Sequence, residues 1–260
     1  MENSPIYSVV MEGIILVDKP EGWTSFDVVA KIRGMVRGIT RKNHEARGYC
    51  LEQINKRALP IHCKCKVKVG HTGTLDLAAT GLLMLCVGKA TKQVPELIKQ
   101  DKTYEVELTL SQTSTTGDKE GEISEVSGEV PDSETVTNVI SSFVGEIVQI
   151  PPIYSAIKID GKRAYELARA GKEVVMAPRK VTIYSIEQVE YDYPKVLFTT
   201  RVGSGTYIRS LAVDIGEKLE TGAYMSNLRR TSIGDSSIEQ AYAISDINPE
   251  LLQKILDTNR

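Results

Sequence analysis

The sequence predicts an α+β fold in which helices flank a mixed, largely antiparallel central sheet. Two observations predict it. First, short apolar or alternating segments typical of strands recur along the whole chain. Second, amphipathic helical stripes lie between them but do not alternate strictly with the strands, whereas a doubly wound fold would require strict alternation. With 260 residues, of which 41% are hydrophobic, the chain can bury a sizeable core. We therefore expect residues 1–260 to form a single domain.

The first part of the chain is predicted to hold a strand, a helix and an inserted loop. Residues 13–17 are a short apolar run closed by a turn, which indicates a buried strand. Ser25 can cap a following helix, because apolar residues then recur at helical spacing. The periodicity stops at Gly38. Residues 38–66 are too long for an ordinary connection, so we expect an inserted basic loop there.

Two strands are predicted in the middle of the chain. Residues 82–87 are a continuous apolar run ended by Gly88, the pattern of a central strand, which places Asp76 on the loop entering it. Residues 104–110 alternate between apolar and polar, as in a strand with one buried face. Residues 111–131 are rich in Ser, Thr, Gly and acids, and we expect an exposed hairpin or loop.

The second half is predicted to add two helices and three strands. The first helix is capped by Asp132 or Ser133 and ends at Gly145. The remaining elements are two strands around a Tyr-Pro turn, a helical stripe and a last strand, at residues 181–191, 196–202, 208–219 and 224–231.

Composition excludes several classes of protein. No apolar run approaches the roughly 20 residues that a membrane helix needs, and the start of the chain lacks the regions of a secretion signal. We therefore expect a cytoplasmic protein that does not meet a membrane. Four cysteines are too few for a disulfide scaffold, so they are expected to be reduced thiols.

Common cofactor and nucleophile motifs are absent. The chain has no GxxxxGK[ST] and no GxGxxG between a strand and a helix, so we expect no nucleotide cofactor, and no nucleophile elbow accompanies its three histidines. One cluster has zinc-binding residue types but lacks a paired CxxC spacing, so we expect no metal. Its members are His44, Cys50, His62, Cys63 and Cys65.

Charge is distributed unevenly. The net charge is -2, yet residues 37–68 hold nine basic and two acidic residues. Such a basic segment beside an acidic body fits a polyanionic partner such as RNA. A solvated loop without a partner explains the charge equally well, and both interpretations stay open.

The loop before the central strand is the clearest candidate site. Residues 70–76 read Gly-His-Thr-Gly-Thr-Leu-Asp, between the basic segment and the apolar strand. Gly70 and Gly73 permit close approach of the backbone to a ligand, and Asp76 supplies a carboxylate. On this feature alone, Asp76 is either a catalytic group or the cap of a turn.

This loop, with Ala79-Thr80-Gly81, resembles the catalytic signature of the TruB-type tRNA pseudouridine synthases. Other segments resemble further motifs of that family in the same order. They read DKPEGWTS at 18–25, DKTY at 101–104, YSAIK at 154–158, GKRAYE at 161–166, GSGTYIR at 203–209 and LRR at 228–230. So many motifs in order leave little room for chance.

The resemblance implies a pseudouridine synthase-like fold with an RNA-clamping insertion at about residues 151–180. It implies a cofactor-free, RNA-modifying isomerase that flips uridine 55 out of the T-loop of tRNA and converts it to pseudouridine. The exchange of an N1 for a C5 glycosidic bond needs no redox input. A carboxylate near the ribose can act as nucleophile or base while an aromatic pocket retains the uracil.

The resemblance also assigns roles to residues. Asp76 is the catalytic carboxylate and Arg209 its ion-pair partner, while Tyr104 stacks on the target base with Tyr207 close to it. The remaining substrate-binding candidates are His71, Leu228, Lys19 and Arg163.

Each assignment has a structural alternative. Tyr104 could be a core residue of its strand, and Arg209 could pair with a nearby acid such as Asp214. Arg163 could belong to a solvated helix start, and Lys19 could stabilise the turn that it begins.

The chain departs from the family pattern in three places. Leu77 stands where the family has proline, residues 38–66 are inserted, and the chain stops soon after Leu256, where many relatives continue into an RNA-binding PUA domain. We expect no PUA domain and a monomer that binds the T-arm of tRNA. The rival hypotheses are a non-catalytic tRNA-binding or tRNA-folding protein and a guide-dependent synthase within a ribonucleoprotein.

Overall fold

The computed structural model describes residues 11–46, 67–159 and 161–258. Its strands, in chain order, are β1 (Gly13–Lys19), β2 (Val69–His71), β3 (Thr80–Val87), β4 (Lys102–Leu110), β5 (Gln112–Ser114), β6 (Ile123–Glu125), β7 (Gly145–Gln149), β8 (Lys158–Ile159), β9 (Lys162–Arg163), β10 (Arg179–Asp192), β11 (Lys195–Val202), β12 (Ala223–Ile233), β13 (Ser236–Ser237) and β14 (Tyr242–Ala243).

The α-helices, in chain order, are α1 (Ser25–Ala46), α2 (Val94–Leu97), α3 (Ser133–Ser141), α4 (Ala164–Arg169), α5 (Ile208–Lys218) and α6 (Pro249–Thr258). Short 3-10 helices occupy Gly88–Gln93 and Ile238–Gln240. In the described ranges, no helix combines the length and the apolar character that crossing a bilayer requires.

The chain divides into two compact units. The first comprises Met1–Ile98 with Ser237–Arg260, and the second comprises Lys99–Ser236.

In the first unit, β1 pairs antiparallel with β3 and parallel with β14, and β2 pairs antiparallel with β3. The core of this unit lies between these strands and the helices α1 and α6, with Ile15, Leu85, Ile32 and Leu252 all fully or almost fully buried. The predicted strands at residues 13–17 and 82–87 are confirmed. Helix α6 and strand β14 are elements that the sequence pattern did not predict.

Helix α1 differs from its prediction at both ends. Thr24, not Ser25, is its cap: the Asp27 amide donates to Thr24 Oγ1 (3.1 Å), and the Thr24 amide donates to Asp27 Oδ2 (2.9 Å). The helix also continues to Ala46, so the predicted loop at residues 38–66 is wrong for its first nine residues. The buried face of α1 continues past Gly38, since Ile39 and Thr40 are both buried. Residues 47–66 lie outside the described part.

In the second unit, β4 lies between β11 and β12, and the sheet continues through β10 to β7, with all these pairs antiparallel. The predicted strands at residues 104–110, 181–191, 196–202 and 224–231 are confirmed. The predicted helices at α3 and α5 are confirmed too, and Asp132 caps α3 by accepting a hydrogen bond from the Thr135 amide. That helix ends at Ser141 and not at the predicted Gly145, where strand β7, which was not predicted, begins.

Two hairpins complete the second unit. Strands β5 and β6 pair within residues 111–131, as predicted. Strands β8 and β9 pair within residues 151–180, followed by α4. Both units thus combine helices with mostly antiparallel strands, and the predicted α+β class is confirmed.

Candidate active site

The Asp76 loop, residues 72–79, connects β2 to β3 in the first unit. Asp76 is half-buried in it. The loop is closed by its own backbone, because the Thr72 amide donates to the Met84 carbonyl (3.1 Å) and the Ala79 amide donates to the Asp76 carbonyl (3.2 Å). The carboxylate therefore stands on a short segment with a defined path.

Ser25 fastens this loop to the start of α1. Its hydroxyl accepts a hydrogen bond from the Leu75 amide (2.9 Å) and donates to the Leu75 carbonyl (3.2 Å), and the side chain is buried. A hydroxyl can do both, whereas an aliphatic side chain can do neither. The serine that the sequence suggested as a helix cap therefore positions the residue next to Asp76.

Lys19 fastens the other side of the loop. Its ammonium is fully buried and donates to the carbonyls of Pro20 (2.9 Å), Trp23 (2.7 Å) and Leu77 (3.4 Å). The Gly22 amide also donates to the Leu77 carbonyl (3.0 Å). These contacts support a positioning role for Lys19. Its direct contact with the substrate stays a prediction. They also show that the loop is held through the Leu77 carbonyl, which a proline at this position would equally offer.

We expect Ser25→Ala to reduce stability by about 1–3 kcal/mol, because it leaves the buried amide and carbonyl of Leu75 without their partner. If the Asp76 loop is catalytic, kcat falls while KM changes little. Thermal unfolding and steady-state kinetics measure the two effects. Ser245→Ala is the matched control, since that exposed hydroxyl donates to the neighbouring Asp246 carboxylate. Equal behaviour of the two variants would contradict the anchoring role.

His71 ends β2, immediately before the loop. It is half-buried, and its Nδ1 accepts a hydrogen bond from the Gly73 amide (3.3 Å). The ring is thereby oriented by the loop itself, and its predicted substrate contact stays a prediction.

Arg209 lies in the first turn of α5 in the second unit and is 6% exposed. Its guanidinium donates to the carbonyls of Thr116 (3.3 Å) and Tyr154 (2.9 Å), and its Nε lies 3.6 Å from Asp118 Oδ2. These contacts hold a planar, permanently charged group in one orientation.

Asp118 is a site residue that the sequence did not reveal. It is 3% exposed, and its other oxygen accepts from the Thr116 hydroxyl (2.5 Å) and the Glu120 amide (3.1 Å). Sequence reasoning placed it in an exposed loop because the surrounding residues are polar. The Gly-Asp pair in a turn was the available signal, but its partner Arg209 lies 91 positions away along the chain.

Asp214, the alternative partner suggested for Arg209, has a different environment. Burial, and to a smaller extent the charge of Glu217, raise the pKa of Asp214 to about 6. Because this folded-state pKa lies above the unfolded value of 3.8, the unfolded state loses its proton first as the pH rises. The carboxyl therefore lowers stability progressively as the pH rises from about 4 to about 6, and the loss stays constant at higher pH.

We expect Asp214→Asn to remove this cost. The variant should be more stable than the wild type at pH 7 by about 1–2 kcal/mol, and the difference should vanish near pH 4. Urea unfolding at pH 4, 5, 6 and 7 measures it. A constant difference across this range would show that the carboxyl is not responsible.

Tyr207 precedes α5, and a buried glutamine side chain binds its backbone. The Gln149 side chain accepts from the Tyr207 amide (2.8 Å) and donates to the Tyr207 carbonyl (3.0 Å), and it is 1% exposed. Gln149 is therefore a second positioning residue that the sequence did not reveal, since it is the last residue of β7, a strand that was not predicted.

Tyr104 and Leu228 lie on one buried face of the second unit's sheet. Leu228 is opposite Val106, two residues along β4 from Tyr104, so the two predicted pocket residues are diagonal neighbours. Lys102 and Arg230 add positive charge to this strand pair. Burial, together with repulsion from Arg230, lowers the pKa of Lys102 to about 8.

Arg163 lies on the exposed β8–β9 hairpin. Its guanidinium donates to the Tyr165 hydroxyl (2.9 Å) and lies 5.8 Å from the centre of that ring. The side chain is exposed beside an aromatic ring, and its predicted RNA contact stays a prediction.

The structure thus brings Lys19, His71 and Asp76 together in the first unit, with the remaining predicted residues in the second. The ion pair between Asp76 and Arg209 stays a prediction. Within the described ranges, no group of three or more His, Cys, Asp or Glu side chains could hold a metal ion. The cysteine and histidine cluster considered for zinc lies outside the residues whose side chains are described.

Two family models match the chain. The TruB family pseudouridylate synthase N-terminal domain matches residues 56–208, and the tRNA pseudouridylate synthase B C-terminal domain matches residues 209–258. Among relatives, tRNA pseudouridine synthase B of Clostridium kluyveri is 42% identical over 246 residues, which are 95% of this chain and 75% of the relative. The protein of the same name from Cupriavidus metallidurans is 41% identical, over 92% of this chain and 68% of the relative.

Two solved structures also contain chains that are similar to this one. A chain in the crystal structure of a Cbf5-Nop10-Gar1 complex is 31% identical, with a TM-score of 0.62 over 94% of this chain. A chain in an H/ACA RNP bound to a substrate RNA containing 2'-deoxyuridine is 28% identical, with a TM-score of 0.58. This chain spans 56% and 54% of those two chains, respectively. Sequence and structure together place the chain in the TruB family of pseudouridine synthases.

Proposed function

We propose that this chain is a tRNA pseudouridine synthase that converts uridine 55 of the T-loop to pseudouridine without a cofactor or a guide RNA. The observation that carries the proposal is that both TruB family models match in succession over residues 56–258, with Asp76 present inside the first of them. Relatives that are 41–42% identical bear the name tRNA pseudouridine synthase B, so the reaction is an isomerisation on tRNA.

In this proposal, Asp76 is the group that acts on the ribose of the target uridine. Ser25 and Lys19 hold the loop on either side, which fixes the direction of the carboxylate before substrate arrives. Pre-arranged groups lower the barrier because no reorganisation is needed during the reaction.

Arg209 supplies the counter-charge. Two carbonyls and Asp118 fix its guanidinium, and a guanidinium beside a carboxylate keeps that carboxylate ionised. Tyr104 stacks on the flipped base, and Tyr207, which Gln149 clasps, lies against the same base. The N1–C1′ bond breaks and a C5–C1′ bond forms in its place, while C5 loses its proton and N1 gains one, so the product is an isomer of the substrate.

The partner is the T-arm of tRNA, bound by a monomer in the cytoplasm. A guide-dependent synthase is the second candidate, because the solved structures of similar fold include a chain of an H/ACA RNP. Higher identity to the tRNA enzymes than to these chains favours the guide-independent reaction.

The test is a reaction of purified protein with an unmodified tRNA transcript, without guide RNA, followed by mapping of pseudouridine along the tRNA. We expect one modification, at the T-loop uridine. Product only after addition of a guide RNA would support the second candidate. Tight binding without any product would support a non-catalytic tRNA-binding protein.

A further inference from the structure

One face of α1 combines the half-buried Arg33 and two exposed arginines with an exposed aromatic ring. Phe26, Ala30, Arg33, Arg37 and Arg41 are spaced by three, four or seven residues, which places them along one side of a helix. We call this set the α1 stripe. The opposite side of the helix is buried in the core of the first unit, so the orientation of the stripe is fixed.

The stripe starts at the Asp76 loop. Ser25, the first residue of α1, makes both of its hydrogen bonds with Leu75, so Phe26 lies at the end of the helix that touches the loop. Arg33 and Arg37 lie about 12 and 18 Å from Ser25 along the helix axis, because an α-helix rises about 1.5 Å per residue. A strand that leaves the loop along the helix would meet them in succession.

The charged residues of α1 between Asp27 and Glu45 are all positive. No acidic residue occurs between Asp27 and Glu45, while the same segment holds Arg33, Arg37 and three further Lys or Arg residues. Phe26 is 62% exposed, and the Arg33 guanidinium lies 5.5 Å from the centre of its ring. An exposed aromatic ring followed by cations is the combination that binds a nucleic-acid strand, with a base on the ring and phosphates on the cations.

Two glycines beside the stripe have no packing reason among the described residues. A Cβ built on Gly34 or on Gly38 meets nothing within 4 Å, and both positions are exposed. Each glycine inside an exposed helix destabilises that helix relative to alanine. What they supply is open space next to the arginines, which allows a backbone to approach the helix closely.

We propose that the α1 stripe binds the phosphate backbone and one base of the RNA strand that flanks the target uridine. The proposal rests on the proposed function for the identity of the RNA. It explains the exposed phenylalanine, the positive charge and the glycines as parts of one surface.

The first test is the double variant Arg33→Gln/Arg37→Gln. Its affinity for an unmodified tRNA transcript is measured by filter binding at several KCl concentrations. We expect the salt slope of log K to become shallower by about 1.4–1.8 and affinity at low salt to fall about tenfold, because two phosphate contacts are lost.

The matched control is Lys92→Gln/Lys254→Gln, which removes the same charge from exposed positions elsewhere in the first unit. It should leave the slope close to that of the wild type. Equal slopes for the two double variants would overturn the proposal. Unchanged RNA binding with lost binding to poly-glutamate would instead assign the stripe to an acidic protein partner, which also overturns it.

Two further variants separate the parts of the stripe. Phe26→Ala should weaken tRNA binding by roughly tenfold without changing the salt slope, because stacking involves no counterion release. Gly34→Ala/Gly38→Ala should raise Tm while weakening tRNA binding, since it stabilises the helix but fills the space beside the arginines. Stronger or unchanged binding by the glycine variant would contradict the close approach.

Failure of the two proposals can be distinguished. If the Arg33→Gln/Arg37→Gln variant shows the predicted change in salt slope but the wild type makes no pseudouridine, the proposed function fails and the RNA surface stands. If it makes pseudouridine while the Arg33→Gln/Arg37→Gln variant binds like the wild type, only the surface is refuted.

Discussion

Asp76→Asn is expected to abolish pseudouridine formation, with a loss of at least about 10⁴-fold in single-turnover rate. The amide has the shape of the carboxylate but neither its charge nor its basicity, so it can act neither as a nucleophile nor as a base. Nucleoside analysis of a tRNA transcript after incubation with excess enzyme measures the rate.

The same substitution should leave the backbone of the loop in place. The bond that closes the loop at this residue uses the Asp76 carbonyl, which the substitution retains. The variant should therefore still fold and bind tRNA, which Tm and the Kd for tRNA check. Asp235→Asn, at an exposed turn, is the control for loss of one carboxylate. Activity within tenfold of the wild type would remove Asp76 from the mechanism.

Asp118→Asn is expected to have the second-largest effect. It removes the charge that faces the buried guanidinium of Arg209, and breaking a buried ion pair on one side costs about 3 kcal/mol. Because Arg209 then loses one of the contacts that fix its direction, we also expect kcat to fall by about 100-fold, with a smaller change in KM. Urea unfolding and steady-state kinetics measure the two effects.

Glu122→Gln is the matched control, since Glu122 is an exposed acid in the same hairpin. It should leave both quantities unchanged. If Asp118→Asn lowers stability but retains the wild-type kcat, then the Asp118 contact is structural and the orientation of Arg209 does not depend on it.

The fold was predictable where a local pattern decides the structure. The alternation along residues 104–110 and the apolar run at residues 82–87 each identify a strand, because one or both faces must be buried. Strand β7 escaped prediction because its exposed Val148 is apolar and its buried Gln149 is polar, so its sequence lacks the apolar–polar alternation of a half-buried strand. The extension of α1 was missed because Gly34 and Gly38 weaken the pattern of a helix that tertiary packing nevertheless stabilises.

The sequence predicted the central carboxylate of the candidate site but not the residues that position the site. A glycine-containing polar loop before a buried strand identified the position of Asp76, and family motifs gave its proposed partners. The residues that hold these groups act across long sequence separations: Ser25 on Leu75, Gln149 on Tyr207 and Asp118 on Arg209. No local pattern encodes such contacts, since the same residue types serve equally as caps and turn residues.

The central claim is that this chain exchanges the glycosidic bond of the T-loop uridine through Asp76. Because C5 gives up its hydrogen in that exchange, the most direct measurement is tritium release from tRNA labelled at C5 of that one uridine. We predict release of one tritium per tRNA by the purified protein alone and none by Asp76→Asn. Absence of release by the wild type, or equal release by both proteins, would contradict the account.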